Sequence, residues 1–511
     1  MDRLLQVGEG EDRNSPMSSL SARIPKLSAA KLELLTRRLR EKTERAAYAP
    51  PIRRRDPSIT RPPLSFAQQR LWFVQQLEPN NVAYNMPLSV RLSGSLNVAI
   101  LERSLSEVVR RHEVLRTTFQ DLDGQPVQVI SPPQNVKLDV IDLRGPSKVA
   151  QAEELARQRR HEVETHFDLA EGPLWRAKLL RLEEVEHVVL FTMHHAIADG
   201  WSMNVLVSEL GKLYEAFSLG RASPLEELPV QYADYAIWQR DWLRGEVLDA
   251  QLNYWRGHLA DAPARLELPT DRPESRNRTT AGATHPFTIS PAVSARLKEL
   301  GRREEATLFM LMLTAFSLLL SRYSGQDDII IGTVIAGRQR LELEQLIGFF
   351  VNTLVLRVDL SGDKSFCSLL RRVRQTAFAA YANQDLPFEK LVSELQPGRN
   401  SLPFQASLVV QNTPRSSMNL EGLRMESLQT EMIAAKYDLN LVVAELERGL
   451  AATFVYSTDL FDASTIAGMA ESLQQILHDA ADGLANDAGT LATTVTEESD
   501  QWLSAFNATL E

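Results

Sequence analysis

The chain has 511 residues, too many for one ordinary hydrophobic core, so two domains plus tails are expected. It is 44% hydrophobic and 24% charged, the balance of a soluble globular protein. A net charge of −10, from 56 Lys and Arg against 66 Asp and Glu, argues against nucleic acid as the main partner, and the single cysteine, Cys367, excludes an intrachain disulfide and a cysteine-based zinc site.

The N-terminal "MDRLLQVGEGEDRNSP" carries acids and lacks an apolar core, so it is no signal peptide and a cytoplasmic location is expected. "LSAAKLELLTRRLREK" predicts a helix, with Ser28 as N-cap and Leu32, Leu35 and Leu39 on one face. "APPIRRRDPSITRPP" reads as an extended linker, so residues 1–60 are expected to be peripheral. From residue 61 helical and strand patterns alternate. "NVAILERSLSEVVRRHEVLRTTF" has helical periodicity whose end runs into a strand, "VQVI" and "VKLDVIDL" alternate like strands, and "KVAQAEELARQRRHEVETHF" is helical. "WRAKLLRL" and "HVVLFTM" predict strands, and "SMNVLVSELGKLYEAF" a helix from Met203. A polar, Pro-rich stretch around 262–285 marks a connection between a first lobe at 61–265 and a second at 266–485. The second lobe alternates in the same manner, with strand "HPFTIS", helices from Ala292 to Tyr323, and strands "DIIIGTVIAG" and "FFVNTLVLRVDL". Its apolar run Leu308 to Leu320 is shorter than the roughly 20 residues that span a bilayer, so a buried helix and no membrane span are expected.

The chemistry concentrates in "MHHAIADGWS", Met193 to Ser202, where two of nine histidines stand side by side. Strand neighbours point to opposite faces, so only one of His194 and His195 faces a given cleft while the other packs behind it. A helix starting directly after Asp199 and Gly200 leaves free N–H groups near Gly200 to Ser202, a place to stabilise an oxyanion. Ser202 reads as the helix N-cap rather than a nucleophile. A metal site would need more ligands than His194, His195 and Asp199 supply, and no second cluster lies nearby, so no metal is expected. A histidine pair that merely closes a strand is the plain alternative to a base near neutral pH.

The stretch resembles the HHxxxDG signature of nonribosomal peptide synthetase condensation domains. Further segments are similar to that family's other core motifs in order and spacing: "LSFAQQRLWFVQQL" (Leu64–Leu77), "RHEVLRTTF" (Arg111–Phe119), "YADYAIWQ" (Tyr232–Gln239), "IGFFVNTLVLR" (Ile347–Arg357), "NQDLPFEKLV" (Asn383–Val392) and, more loosely, "GRNSLPFQ" (Gly398–Gln405). The resemblance covers roughly residues 61–480. It implies an α/β fold of two chloramphenicol-acetyltransferase-like lobes, a pseudo-dimer set in a V with a tunnel between them. It further implies His195 as the catalytic histidine, Gly200 as its oxyanion partner, and His194 and Asp199 as structural, with Asp199 paired to Arg338 of "VIAGRQR". Trp201, Ser202, Asn352 and Thr353 would line the tunnel, Arg70 and Trp72 would pack near the active-site floor, His112 would be structural, and Asp385, beside Gln384, would cap a helix.

The implied activity is amide formation, the α-amine of a carrier-bound aminoacyl thioester attacking a donor acyl thioester. No cofactor would be bound by the domain itself; substrates would ride on phosphopantetheine of carrier proteins at the donor and acceptor sides, or on coenzyme A. Met1 reads as a genuine start with no carrier before it. That favours a starter domain N-acylating the first amino acid from an acyl-CoA, as in lipopeptides, over an elongation domain fed a peptidyl donor by another protein of the synthetase. The tail 486–511, "SDQWLSAFNATLE" at its end, resembles a linker toward an adenylation domain. Heterocyclisation is disfavoured because its histidines become aspartates, and epimerisation because of "GWSM" and "VNTL". A non-catalytic recruiting platform and a free-standing CoA-dependent acyltransferase are the rivals from other classes.

Overall fold

A computed structural model of the chain describes residues 49–145, 147–273, 279–395, 404–411, 422–428, 435–446 and 448–483. The helix expected after Ser28, the tail 486–511 and most of the 398–405 motif lie outside them. The chain divides into two compact units, Met1–Arg53 and Arg54–Glu511, and the elements named here belong to the second.

Helix α1 (Phe66–Leu77) starts at a capping box, in which the Ser65 hydroxyl accepts the Gln68 N–H and the Gln68 side chain accepts the Ser65 N–H. Strand β1 (Asn85–Gly94) follows, then α2 (Val98–Arg111), which buries Leu101, Leu105 and Val108 at helical spacing, and a 3₁₀ turn, Glu113–Arg116. β2 (Thr117–Leu122) and β3 (Gln125–Ile130) make a hairpin. β4 (Asp139–Asp142) keeps only half of the expected "VKLDVIDL" strand. The reason is local: the N–H groups of Val136 and Leu138 are taken by the Ser106 hydroxyl and the Glu102 carboxylate of α2, not by a strand ladder. Then come α3 (Lys148–Glu164), β5 (Trp175–Arg181), β6 (Glu186–His194), α4 (Gly200–Ser218), α5 (Tyr232–Trp242) and α6 (Gly245–His258). The second half contributes β7 (Gly282–Ile289), α7 (Pro291–Arg303), α8 (Leu308–Ser324), β8 (Asp328–Ile335), α9 (Leu341–Glu344), β9 (Asn352–Asp359), α10 (Phe366–Ala382), α11 (Phe388–Leu395), β10 (Ala406–Gln411), β11 (Leu423–Ser427), β12 (Leu439–Leu446), β13 (Gly449–Ser457) and α12 (Ala463–Asp482).

The result is an α/β fold built on two sheets. One has the order β11-β1-β6-β5-β4, the other β7-β13-β12-β10-β8-β9. β6 lies at the centre of the first, antiparallel to both neighbours, with His194 opposite Asn85 and Met193 opposite Trp175. The division expected at 265/266 separates the two sheets except at one place: β11, from the second half, pairs antiparallel with β1 over Val90↔Ser427 to Gly94↔Leu423. The apolar run Leu308–Leu320 forms most of α8, and every residue from Met310 to Leu320 is buried in the core of the second half. Among the described residues no single helix is long and apolar enough to cross a membrane.

Candidate functional site

β6 is apolar on both faces, which holds it at mid-sheet and delivers the histidine pair at its C-terminal end. His194 is its last residue and His195 the first beyond it, so the two rings part. His194 is buried between the rings of Phe167 and Tyr84, at centroid distances of 6.0 and 6.2 Å. Its Nδ1 accepts the Ala196 N–H at 3.1 Å and bends the chain back on itself. His195 is half-buried and turns the other way, with its ring 4.9 Å from that of Phe349. Its Nδ1 lies 3.0 Å from the Ala198 carbonyl. A carbonyl only accepts, so Nδ1 carries the proton and Nε2 is left as a bare acceptor, with no hydrogen bond among the described residues. The loop is pinned from both sides: the His195 N–H donates to Tyr84 O at 2.9 Å, and Gln68 Nε2 donates to Ala196 O at 3.1 Å.

Both imidazoles are held neutral. Burial pushes His194 down to about 3, helped by His195 and Arg176, and pushes His195 down to about 4, helped by the charge of Lys436 and opposed by Asp199. An unfolded histidine titrates near 6.5, so between pH 6.5 and 4 the unfolded chain binds protons that the folded one does not. Stability therefore falls as pH drops through that window, by up to about 1.4 kcal/mol per pH unit for each such group. Carboxylates titrate mainly below it. Melting temperatures compared at pH 7 and pH 5 should fall for the wild type and fall less for His195→Ala; equal losses in the two proteins would refute the shift at His195.

Asp199 is the N-cap of α4, with its Oδ1 accepting the Ser202 N–H at 2.8 Å. This corrects two expectations: the cap is Asp199 rather than Ser202, and the helix begins at Gly200, not Met203. Capping consumes the Ser202 N–H, and the N–H groups of Gly200 and Trp201 have no partner among the described residues. A Cβ built on Gly200 would meet nothing within 4 Å, so the space beside this first residue of α4 is open.

Ser202 is a buried junction between the two halves. Its hydroxyl lies 2.7 Å from Asp199 Oδ1 and 2.8 Å from Gly348 O, and it accepts from the Gly348 N–H and from Arg338 Nη2. Being 0% exposed, it does not line an open path, contrary to expectation. Asp199 is equally buried; its Oδ1 accepts Arg338 Nη2 at 3.1 Å and its Oδ2 the Phe350 N–H at 3.0 Å. Arg338 Nη1 donates to Leu343 O and Leu346 O, and its guanidinium lies 4.1 Å above the Phe350 ring. Burial lowers the Arg338 pKa and Asp199 opposes that. A Cβ on Gly348 would come within 2.0 Å of the Tyr232 ring, so only glycine lets the halves approach here.

Trp201 is half-buried and donates from Nε1 to Glu344 O at 2.8 Å. Asn352, half-buried, is a brace: its amide donates to Gln384 O and Leu386 O, and its oxygen accepts the N–H groups of Thr353 and Phe388. Thr353, half-buried beside it, holds the next position of β9. The Phe388 N–H at the start of α11 is thus taken by Asn352, and Asp385, expected to cap a helix, accepts from Gln339 and Gln251. Arg70 pairs with Glu389 at 3.0 Å, and Trp72 is buried with Phe73 against its ring. His112 accepts the Ile347 N–H on Nδ1 and so donates from Nε2 to Glu209, a buried brace between α2, α4 and the second half. Sequence reasoning missed Tyr84, Phe349 and Lys436. Only Phe349 carried a signal, since it lies inside the quoted "IGFFVNTL" segment.

A family model described as the condensation domain matches residues 59–503. One of the linear gramicidin synthase proteins of Brevibacillus parabrevis is 50% identical over 420 residues, which is 81% of this chain and 5% of that protein. Another protein of the same synthase is 48% identical over 446 residues, 86% of this chain and 9% of that one. The chain therefore spans under a tenth of the length of these relatives. Among solved structures, the X-domain from teicoplanin biosynthesis is 30% identical with a TM-score of 0.76, covering 86% of this chain and 99% of that one. The first condensation domain of the calcium-dependent antibiotic synthetase, at 22% identity, shares the fold with a TM-score of 0.70, covering 84% of this chain and 98% of that one.

Proposed function

The chain belongs to the condensation domain family of nonribosomal peptide synthetases, and from that membership we propose that it forms an amide bond between two carrier-borne thioesters, with His195 at the reacting atoms. The observation that carries this reading is the His195 tautomer. Nδ1–H is spent on Ala198 O, which leaves Nε2 a bare acceptor on the loop that leads into α4.

The acceptor α-amine attacks the donor thioester carbonyl; a C–N bond forms, and the carbonyl electrons move to oxygen. The N–H groups of Gly200 and Trp201, with the positive end of α4 behind them, are the donors this oxyanion would meet. Collapse breaks the C–S bond and releases the phosphopantetheine thiolate, which takes the proton. His195 does not strip the ground-state ammonium. An α-ammonium titrates near 8 and His195 near 4, so that transfer is uphill by about 10⁴-fold. Once the nitrogen is bonded to carbon its N–H becomes strongly acidic, and Nε2 is then a competent acceptor. The imidazole thus acts on the tetrahedral intermediate, while tethering of both substrates provides much of the remaining acceleration.

Carrier proteins at the donor and acceptor sides and a neighbouring adenylation domain are the partners this reading requires. The two arms would reach His195 through a passage between the halves. The similarity to three proteins of linear gramicidin synthase supports a peptidyl donor on a carrier, an elongation role. Reconstitution with an aminoacyl-loaded acceptor carrier, read by intact-protein mass spectrometry, tests it. A mass gain from a peptidyl- or aminoacyl-carrier donor and none from acyl-CoAs is expected. A gain from acyl-CoA alone would make it an initiating domain. No gain from any donor would favour a recruiting platform; the X-domain from teicoplanin biosynthesis, 30% identical to this chain, forms a complex with OxyB.

A further inference from the structure

The segment Tyr232–Gln239 has no part in the mechanism above, yet its first residue reaches the site. Four consecutive residues of the second half, Ile347 to Phe350, are held by side chains of the first half. His112 accepts the Ile347 N–H, Ser202 the Gly348 N–H and Asp199 the Phe350 N–H, while the Tyr232 hydroxyl lies 2.7 Å from Phe349 O. Phe349 is the half-buried member of an otherwise buried run from Leu346 to Phe350, and its ring is the one against His195. Tyr232 opens α5 and is 1% exposed. Its ring packs edge-on to Phe350 at 4.9 Å and against Gly348, so the hydroxyl has a fixed aim.

Chemistry sets the direction of each bond. Phe349 O only accepts, so Tyr232 gives it the phenolic proton. Tyr232 Oη, 2.8 Å from Ser65 Oγ, must then accept from Ser65, whose Oγ in turn accepts the Gln68 N–H. Gln68 is also the residue whose amide holds Ala196 O. The capping box of α1 therefore reaches both sides of His195. Gln68 holds the loop that carries the imidazole, and Ser65 acts through Tyr232 on the ring that faces it. The imidazole makes one hydrogen bond, to Ala198 O, about which it can swing. The Phe349 ring, 4.9 Å away and tilted by 56°, is the second point that fixes its plane.

We propose that Tyr232 is a positioning residue for the amide-forming step: its hydroxyl seats the Phe349 backbone so that the Phe349 ring holds the His195 imidazole with Nε2 toward the reacting atoms. The inference rests on the reaction proposed above. Tyr232 and Phe349 come from different halves, so the imidazole is fixed only where the halves meet.

Three variants test it. Tyr232→Phe removes the hydroxyl and keeps the ring, and Phe349→Leu removes the ring beside His195. Tyr214→Phe is the control: it deletes another buried tyrosine hydroxyl, the acceptor of the Asn97 N–H, about 20 Å along α4 from Gly200. In ligand-free protein carrying isotope-labelled histidine, the His195 ring-proton signal is assigned by its loss in His195→Ala. It should move in Phe349→Leu, which lacks the aromatic ring current, and in the same direction in Tyr232→Phe, but stay in place in Tyr214→Phe. Single-turnover transfer at saturating carriers should fall about 5-fold in Tyr232→Phe, the equivalent of one hydrogen bond, with the half-saturating carrier concentration unchanged. Phe349→Leu should lose at least as much, and the double variant no more than Phe349→Leu. A His195 signal left in place by Tyr232→Phe, or a wild-type rate in that variant, would overturn the proposal. An equal rate loss in Tyr214→Phe would overturn it too, by making the effect general to the fold. Should Tyr232→Phe not fold, Phe349→Leu decides, and an unmoved signal with a wild-type rate there refutes the contact. If even the wild type forms no amide, the proposed reaction fails, while the ring signal still decides whether Tyr232 sets the contact between Phe349 and His195.

Discussion

Replacing His195 by alanine is expected to lower amide formation by about 100-fold or more, the range typical of a lost proton-transfer group. The fold should be nearly untouched. The side chain makes one hydrogen bond, to Ala198 O, and one ring contact, to Phe349, while the loop is held by the backbone bond to Tyr84 and by Gln68. Losing that single hydrogen bond costs about 1 kcal/mol. The measurement is single-turnover transfer between two loaded carriers, with a thermal melt on the same preparation. A rate within a few-fold of wild type would assign the acceleration to tethering and the oxyanion donors and remove His195 from the chemistry. A large rate loss with an equally large loss of melting temperature would make the histidine a structural group.

Asp199→Ala should fail in the opposite way, by destabilising the protein. The carboxylate is 0% exposed and accepts from the Ser202 N–H, from Arg338 and from the Phe350 N–H, with the Ser202 hydroxyl beside it. Its removal strands a buried guanidinium, which costs about 3–5 kcal/mol. It also uncaps α4, and that loss overlaps with the first rather than adding to it. Arg338→Met keeps a flexible side chain over the Phe350 ring, so the double variant should be less destabilised than the sum of the two single ones. Denaturant midpoints of the four proteins decide this. A soluble Asp199→Ala protein with an unchanged midpoint would show that the pair contributes nothing to joining the halves.

Much of the local structure was legible. Short apolar or alternating runs marked β5, β6, β8 and β9, and an apolar run too short for a bilayer marked the buried helix α8. The opposed directions of His194 and His195 followed from strand geometry. What failed was local competition and long-range pairing. Ser202 and Asp199 are both good caps, and nothing in the sequence says which of two residues three apart will take the role. The answer came from Ser202 being needed elsewhere, between Arg338 and Gly348. The truncation of β4 depended on two side chains of α2, more than 30 residues earlier. Lys436 meets Tyr84 across the whole length of the domain, a relation that leaves no periodicity to read. The partner of Asp199 came from the family resemblance, because a separation of 139 residues carries no signal of its own.

The strand β11 bears on how such a domain can be recombined. A chimera that joins the first half of one condensation domain to the second half of another imports a foreign edge strand into the first sheet. The five pairs from Val90↔Ser427 to Gly94↔Leu423 must then keep their register. The Gly94 position is the least forgiving, because a Cβ there would meet Gly422 O at 2.1 Å. A first half produced alone would expose the flank of β1 as an unpaired edge, open to self-association. The two halves are thus joined by exchange as well as by contact, and a chimera joined at the linker should also take β11 from the parent of its first half, so that the strand stays with the sheet it completes.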